Sequence, residues 1–368
     1  MKIRRLTALA SSALLVGALA ACSSGGNTTE EIVEEGVDVQ SAEQSEEAGA
    51  AGAGEVCEVV PDGEFPVEIH HALGTTVIEE APERVATVAW SNHEVPLALG
   101  VVPVGMTAVS WGDDNDNGVM PWAEDRLEEL GADTPVLFDE TDGIDFEAVA
   151  ATDPDVILAA YSGLTAEEYA TLSRIAPTVA YPDVAWGTSL WDMICLNSKA
   201  IGASTSGAEL SEDLQAQVQA ALADNPELKD KKIIFAFIDP ADTSQIGFYT
   251  LHDTRPGFLS EAGLPQPSLV LEATENTSDF YTTISAEQAD KLDDVDVIVT
   301  YGDPGAGTVE LFQSDPLLSQ IPAVEKGNIV VLENDTPLAA SANPSPLSIP
   351  WGISDYFALL NSTSAAGN

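Results

Sequence analysis

The chain has 368 residues, with 61 acidic side chains against 13 basic ones and a formal charge of −48. A polyanion of that strength is repelled by phosphate backbones, so nucleic acid is excluded as a partner. Charge speaks to solubility and choice of partner rather than to fold, and with only four histidines and three cysteines in the chain few imidazole or thiolate ligands are available for a transition metal.

Lys2, Arg4 and Arg5 precede an apolar run over 6–21. The run is shorter than the roughly 20 residues that span a bilayer, so a secretory signal is expected over 1–21 rather than a membrane helix. It ends in Leu19-Ala20-Ala21-Cys22, which resembles the lipobox of bacterial lipoproteins. That resemblance implies cleavage before Cys22 and a diacylglycerol, with palmitate-type chains, on its sulfur; an ordinary signal peptide that contains a cysteine is the alternative. Two or more acyl chains hold a protein stably on a membrane where one does not. Loss of the signal removes three basic residues and no acids, deepening −48 to −51. No later segment is long and apolar enough to span, so the remainder is expected outside the cytoplasm, anchored to the cell membrane by lipid alone.

Residues 27–60 carry ten acids and no base. Such a stretch cannot bury enough surface to offset its ordering entropy, so 22–60 is expected to be a lipidated, flexible tether. Cys57 and Cys195 are then the remaining cysteines, an even pair in an oxidising compartment, and a disulfide is the expectation, with two free thiols as the alternative.

From Phe65 onward about 300 residues remain, more than one core usually serves, which predicts two lobes. Apolar or β-branched runs at 85–90, 101–106, 156–160, 178–181, 233–238, 246–249, 297–301 and 329–332 alternate with amphipathic segments. That alternation predicts α/β architecture with mostly parallel sheets. Between the two groups, Ser206-Gly207-Ala208-Glu209 has the pattern of a capping box, and Leu210, Leu214, Val218 and Leu222 follow at helical spacing, with Asn225-Pro226 as the stop. The expected division is a first lobe over 61–204, a connecting helix over 205–227 and a second lobe over 228–368. The halves also echo each other. Asp145-Phe146-Glu147-Ala148-Val149 leads to a strand at Asp155-Val156-Ile157-Leu158, and Ser285-Ala286-Glu287-Gln288-Ala289 leads to one at Asp296-Val297-Ile298-Val299.

In this order and spacing, five stretches resemble the iron-siderophore substrate-binding lipoproteins of ABC importers. They are Ala81-Pro82-Glu83-Arg84-Val85, Ala98-Leu99-Gly100-Val101-Val102-Pro103-Val104-Gly105, Pro154-Asp155-Val156-Ile157-Leu158, Leu172-Ser173-Arg174-Ile175-Ala176-Pro177-Thr178-Val179 and Pro346-Leu347-Ser348-Ile349-Pro350-Trp351. The resemblance covers roughly Phe65 to Leu360. It implies two similar lobes joined by one long rigid helix, a ferric siderophore held in a cleft between lobes that move little, and docking on an ABC permease served by a cytoplasmic ATPase. A monomer with no cofactor of its own is the matching expectation.

In open α/β sheets ligands sit beyond the carboxyl ends of the strands. Trp90, Trp111, Tyr161, Trp186, Tyr249 and Tyr301 all follow or end predicted strands, and rigid aromatic faces cover a bulky chelate at low entropic cost. Arg255, on a turn entering a helix beside Tyr249, offers a planar guanidinium to anionic oxygens of such a complex; a salt bridge to Asp253 or Glu261 is its structural alternative. Arg84, Arg126 and Arg174 are expected to be structural. Glu147 and Glu287 match by position the surface glutamates that the resembled family offers to permease arginines, although acids also suit a helix start. His93 and His252 lie on predicted cleft loops and leave haem or direct metal binding open as alternatives. A secreted hydrolase is the remote alternative, since no G-x-S-x-G elbow, H-E-x-x-H, P-loop or dinucleotide fingerprint is present, and an enzyme is not expected.

Overall fold

The protein is described from a computed structural model, which covers residues 57–304 and 307–362. The predicted signal, Cys22 and the tether up to residue 56 lie outside the described residues. Twelve strands are described: β1 Val67–His71, β2 Gly74–Ile78, β3 Val85–Thr87, β4 Gly105–Thr107, β5 Val136–Phe138, β6 Val156–Leu158, β7 Thr178–Val179, β8 Ile233–Asp239, β9 Asp242–Tyr249, β10 Tyr281–Ser285, β11 Val297–Gly302 and β12 Ile329–Glu333. β1 and β2 form an antiparallel hairpin of their own.

The other ten strands form two five-stranded sheets, ordered β5-β4-β3-β6-β7 and β10-β9-β8-β11-β12. The chain fills both in the same spatial sequence, starting at the middle strand and building first to one side, then to the other. β6 and β11, the strands of the echoed segments, therefore occupy equivalent places beside the middle strand. The first sheet is parallel throughout. Its strands Val-Ala-Thr and Val-Ile-Leu are wholly buried, as two helix-covered faces require. In the second sheet β8, β11 and β12 are parallel, but β9 turns straight back on β8 and β10 pairs antiparallel with β9. Within an architecture expected to be mostly parallel, the strand at 246–249 is an exception: the short link at Pro240-Ala241 allows only a hairpin there, because parallel crossovers need a dozen residues or more.

Two further expectations shift. The apolar run at 101–106 is mostly a loop, and β4 starts only at Gly105, because Pro103 has no N–H to place in a ladder. The connecting helix spans Ser204–Ala223 and starts before the predicted capping box. Its N-terminus is satisfied from outside. The carboxylate of Asp62 accepts from Thr205 N at 2.7 Å and from Ser206 Oγ at 2.6 Å. Cys57 is bonded to Cys195 of the helix Leu190–Ala200, and Val60 N donates to Ser204 Oγ, so residues 57–60 are already fastened to the fold.

The connecting helix buries Gly207, Leu214, Val218 and Ala221 along one stripe, against the helices Leu190–Ala200 and Ser348–Asn361. One apolar core runs through both lobes, from Val85 and Leu158 past Leu214 and Val218 to Val297, Val299 and Phe357. No helix among the described residues is long and apolar enough to cross a membrane.

Hydrogen bonding to Ser206 holds the Asp62 carboxyl below its ordinary range, so its contribution is complete at neutral pH and is lost as the pH falls through that lowered value. Asp62→Ala leaves the helix start uncapped and is expected to cost about 1 kcal/mol in urea unfolding at pH 7, with the difference narrowing in acid.

Candidate functional site

Four loops from the first sheet, following β3, β4, β6 and β7, and three segments of the second lobe converge on one cleft. Trp90 follows β3 between Ala89 and Ser91, which both adopt left-handed backbone at φ 61° and 59°. Glu140 secures that strained turn, its carboxylate accepting from Ala89 N at 3.0 Å and from Thr107 Oγ1 at 3.0 Å. The fully buried Asn92 ties the turn to its neighbours. It donates to the Val88 and Tyr161 carbonyls, and its oxygen accepts from Tyr161 N and Asn197 Nδ2, all at 2.9–3.0 Å.

Trp186, also left-handed at φ 60°, stands edge-on to Tyr161 at 5.5 Å between ring centres. It rests on Gly163, where a Cβ would come within 2.1 Å of the indole nitrogen. Trp111 meets Tyr301 edge-on at 5.7 Å. From the second lobe, Tyr249 ends β9 and packs on Tyr281, while Arg255 sits in the first turn of the helix Thr254–Glu261.

The cleft so formed has a volume of about 290 Å³ and is lined by Trp90, Trp111, Tyr161, Trp186, Tyr249, Asp253, Arg255, Phe280, Ala340 and Asn343. Six of the seven residues placed here by sequence line it. Tyr301 is not among the lining residues; it stands behind the wall, its hydroxyl accepting from Arg255 Nε at 2.9 Å. Arg255 Nη1 pairs with Asp253 at 2.8 Å, and its guanidinium carbon lies 4.6 Å from the centre of the Tyr249 ring. The salt-bridge alternative is thus present together with the cleft position: Asp253 is the partner. Burial works against the guanidinium's charge, but Tyr301 and Asp253 more than offset it and raise its pKa above the ordinary value. Burial pushes the Tyr301 phenol up to about 12.

Nothing in the sequence places Phe280, Ala340 and Asn343 at the cleft, and Asp253 is legible only as the salt-bridge partner of Arg255. Asn343 Nδ2 donates to the Tyr161 hydroxyl at 3.1 Å, and that hydroxyl lies 3.2 Å from Thr254 Oγ1, so the cleft floor joins both lobes. The only sequence signal for Asn343 was its place in the Ser341–Ser345 run before the closing helix.

Glu147 and Glu287 are both exposed, each in the first turn of the short helix that feeds its echoed strand, Phe146–Ala151 and Ala286–Leu292. His252 lies beside the carbonyls of Thr274 and Thr277. His93 is buried with neither ring nitrogen hydrogen-bonded to the described residues, and burial lowers its pKa to about 4. No group of three or more His, Cys, Asp or Glu side chains among the described residues could hold a metal ion. Arg84 donates to the carbonyls of Thr152 and Asp153, Arg126 to those of Leu97 and Ala98, and Arg174 to Thr171 Oγ1.

Next to His93, Glu94 is buried at the seam between the lobes, accepting from Trp122 Nε1 at 2.8 Å and from Leu347 N at 3.0 Å. Burial raises its pKa to about 7. Between its ordinary 4.5 and about 7 the folded state keeps a proton that the unfolded chain releases, so stability falls as pH rises through that window. His93 works in the opposite sense between about 4 and its ordinary 6.5. Melting curves across this range are expected to show Glu94→Gln losing the fall toward neutral pH and His93→Gln losing the rise; unchanged pH profiles would refute both assignments.

The periplasmic binding protein family profile matches residues 85–336. PiaA of Streptococcus pneumoniae TIGR4, solved in complex with ferrichrome, is 44% identical, with 82% of this chain and all of that one covered and a TM-score of 0.77. A Bacillus subtilis protein named "Probable siderophore-binding lipoprotein YfiY" is 26% identical over 71% of this chain and 78% of its own length. The ferric-anguibactin-binding protein FatB of Vibrio anguillarum is 25% identical over 79% of this chain and 87% of its own. SirA of Staphylococcus aureus, solved with staphyloferrin B, shares the fold at 22% identity, with a TM-score of 0.61 and coverage of 80% and 98%.

Proposed function

The chain belongs to the periplasmic binding protein family, and from that premise we propose that it captures a ferric siderophore outside the cytoplasmic membrane and delivers it to an ABC importer for iron uptake. The observation that carries this reading is the cleft itself, in which aromatic faces from both lobes surround one fixed guanidinium. A ferric chelate has an apolar periphery and anionic oxygens around the metal. Rings cover the first, and Arg255 donates to the second. PiaA, with a similar fold and 44% identity, was solved with ferrichrome, a ligand of this class.

In this reading Trp90, Trp111, Tyr161, Trp186, Tyr249 and Arg255 touch the ligand, and Tyr301 positions Arg255. The lobes meet at the connecting helix near residues 205–227. Exposed Glu147 and Glu287 dock on the permease, which an ATPase drives. Cleavage before Cys22 and lipidation of that residue anchor the protein, and the Cys57–Cys195 bond is kept in the oxidising space where it works. Solute binding, with no reaction and no resident cofactor, is the whole of its chemistry. Haem, with an axial ligand from His93, is the weaker reading, because both ring nitrogens of His93 are buried.

Ferric siderophores are expected to quench the tryptophan fluorescence of the purified protein, and free iron salts to leave it unchanged. Arg255→Ala should weaken binding at least ~tenfold, or about 1.4 kcal/mol, with Arg255→Lys between it and the parent. Quenching by haem or zinc alone, or steady turnover of an ester, would overturn the proposal.

A further inference from the structure

The loop between Trp111 and Trp122 takes no part in the cleft surface beyond Trp111, yet its sequence is highly ordered. From Asp113 to Glu124 it reads Asp-Asp-Asn-Asp-Asn-Gly-Val-Met-Pro-Trp-Ala-Glu. Counted as twelve positions, it has Asp at 1, Asn at 3, Asn at 5, Gly at 6 and Glu at 12. This is the D-x-[DN]-x-[DN]-G-x₅-E register in which oxygens from positions 1, 3 and 5, the carbonyl of position 7 and both oxygens of the final Glu surround a calcium ion. The pattern is not a matter of acidity. The acids that only add charge, Asp114 and Asp116, fall at non-ligating positions, and two of the donor positions carry neutral amides.

The fold brings those positions together as the register requires. Gly118, at position 6, has φ 82°, the left-handed backbone that makes the sharp turn there. Asp113 Oδ1 accepts from Asn115 N at 3.0 Å and Oδ2 from Gly118 N at 2.7 Å. Asn115 Oδ1 accepts from Asn117 N at 3.2 Å and Asn117 Oδ1 from Val119 N at 2.9 Å, which leaves each of these oxygens a further lone pair. The helix Pro121–Leu130 then carries Glu124 back over the loop. Its carboxylate meets Asn115 Nδ2 at 3.2 Å and also Asn117 Nδ2. Neither Asp113 nor Glu124 has a basic partner among the described residues, in a stretch whose one arginine, Arg126, is paired with Glu129 and turned to the carbonyls of Leu97 and Ala98. Both carboxylates thus meet Asn115, Asp113 at its backbone N and Glu124 at its Nδ2, with no basic side chain paired to either among the described residues.

We infer that Asp113–Glu124 is a calcium-binding loop, ligated by Asp113, Asn115, Asn117, the Val119 carbonyl and Glu124, that fixes the chain between the cleft wall at Trp111 and the buried Trp122. The two ends of the loop give such an ion leverage. Gly112 N donates across the lobes to Asp335 Oδ1 at 2.7 Å, and Trp122 packs on Trp351 at 5.1 Å. With only two ionised ligands, the site belongs at the weak end of calcium loops, about 10⁻⁴ to 10⁻³ M, the range of extracellular modules.

The test uses the purified protein without any siderophore, so that its failure would leave the transport reading standing. Calcium is expected to raise the melting temperature with half-effect in that concentration range, magnesium far less, and terbium to give emission sensitised by the neighbouring tryptophans. Glu124→Gln and Asp113→Asn should each weaken both effects at least ~tenfold, the loss expected from one ionised ligand, with calcium-free melting unchanged. Glu128→Gln, an exposed acid on the same helix, should alter neither. Absence of a calcium effect, equal response to magnesium, or calcium and terbium effects that survive in both loop variants would overturn the assignment.

Discussion

Taking a guanidinium out of water costs several kcal/mol unless an opposite charge and hydrogen bonds meet it, and Arg255, with 18% of its side chain exposed, is met on every side but one. Asp253, itself 4% exposed, serves twice. Its Oδ1 caps the helix by accepting from Arg255 N, and its Oδ2 takes Nη1. That arrangement allows a cation to sit at a helix N-terminus, the end that ordinarily favours anions. Tyr301 from β11 accepts Nε, and Tyr249 from β9 covers a face. No hydrogen bond from Nη2 is present among the described residues, and Arg255 lines the cleft. The charge is held in place before any ligand arrives, so little side-chain entropy remains to be lost on binding.

The same constraint explains why the two sheets differ beneath a shared strand order. The first sheet presents its cleft residues on loops leaving parallel strands β3, β4 and β6, as the general rule for open α/β sheets predicts. In the second, the β8–β9 hairpin reverses the chain, and Tyr249 reaches the cleft at the far end of an antiparallel strand, with Tyr281 of β10 packed against it. Reversal places Tyr249 within cation–π distance of Arg255.

What could be read from sequence follows from where the information lies. Long buried runs such as 233–238 and 297–301, and the stripe Leu214, Val218 of the connecting helix, carry their own periodicity. Aromatics at their ends could therefore be placed without any tertiary knowledge. β5, at three residues, has no such pattern and exists because a neighbouring strand offers it a ladder, whereas the run at 178–181 is legible and supplies the two residues of β7. The hairpin at 67–78 did carry a signal, since Val67, Ile69 and His71 alternate buried with exposed Glu68 and His70 and Gly74 turns the chain, but it is too short to stand out beside the helical pattern. Asn343 and Phe280 enter the cleft from segments that only the completed fold brings there. Asp62 as cap of a helix 142 residues further on is likewise invisible to local reading, and Ser206, which holds the place of a capping residue by pattern, is instead a donor to it.

Among the contacts that span the seam between the lobes around the cleft are Asn343 to Tyr161, Leu347 to Glu94, Trp351 to Trp122 and Asp335 to Gly112. All four come from residues 335–351, the segment after β12 and the first turn of the C-terminal helix, which itself packs on the connecting helix. A wide hinge opening would have to separate them together, and breaking a buried hydrogen bond without replacement costs about 1–3 kcal/mol each. Two of the three hydrogen bonds are buried and the third partly so, and the aromatic pair would be lost with them, so opposing a wide opening is a property of the whole seam. In the proposed role such a seam favours entry through the mouth of a standing cleft over lobe closure. On the proposed reading, selectivity would then reside in the fixed spacing of the aromatic walls about Arg255, and any element that stiffens the Trp111 loop would act directly on that spacing.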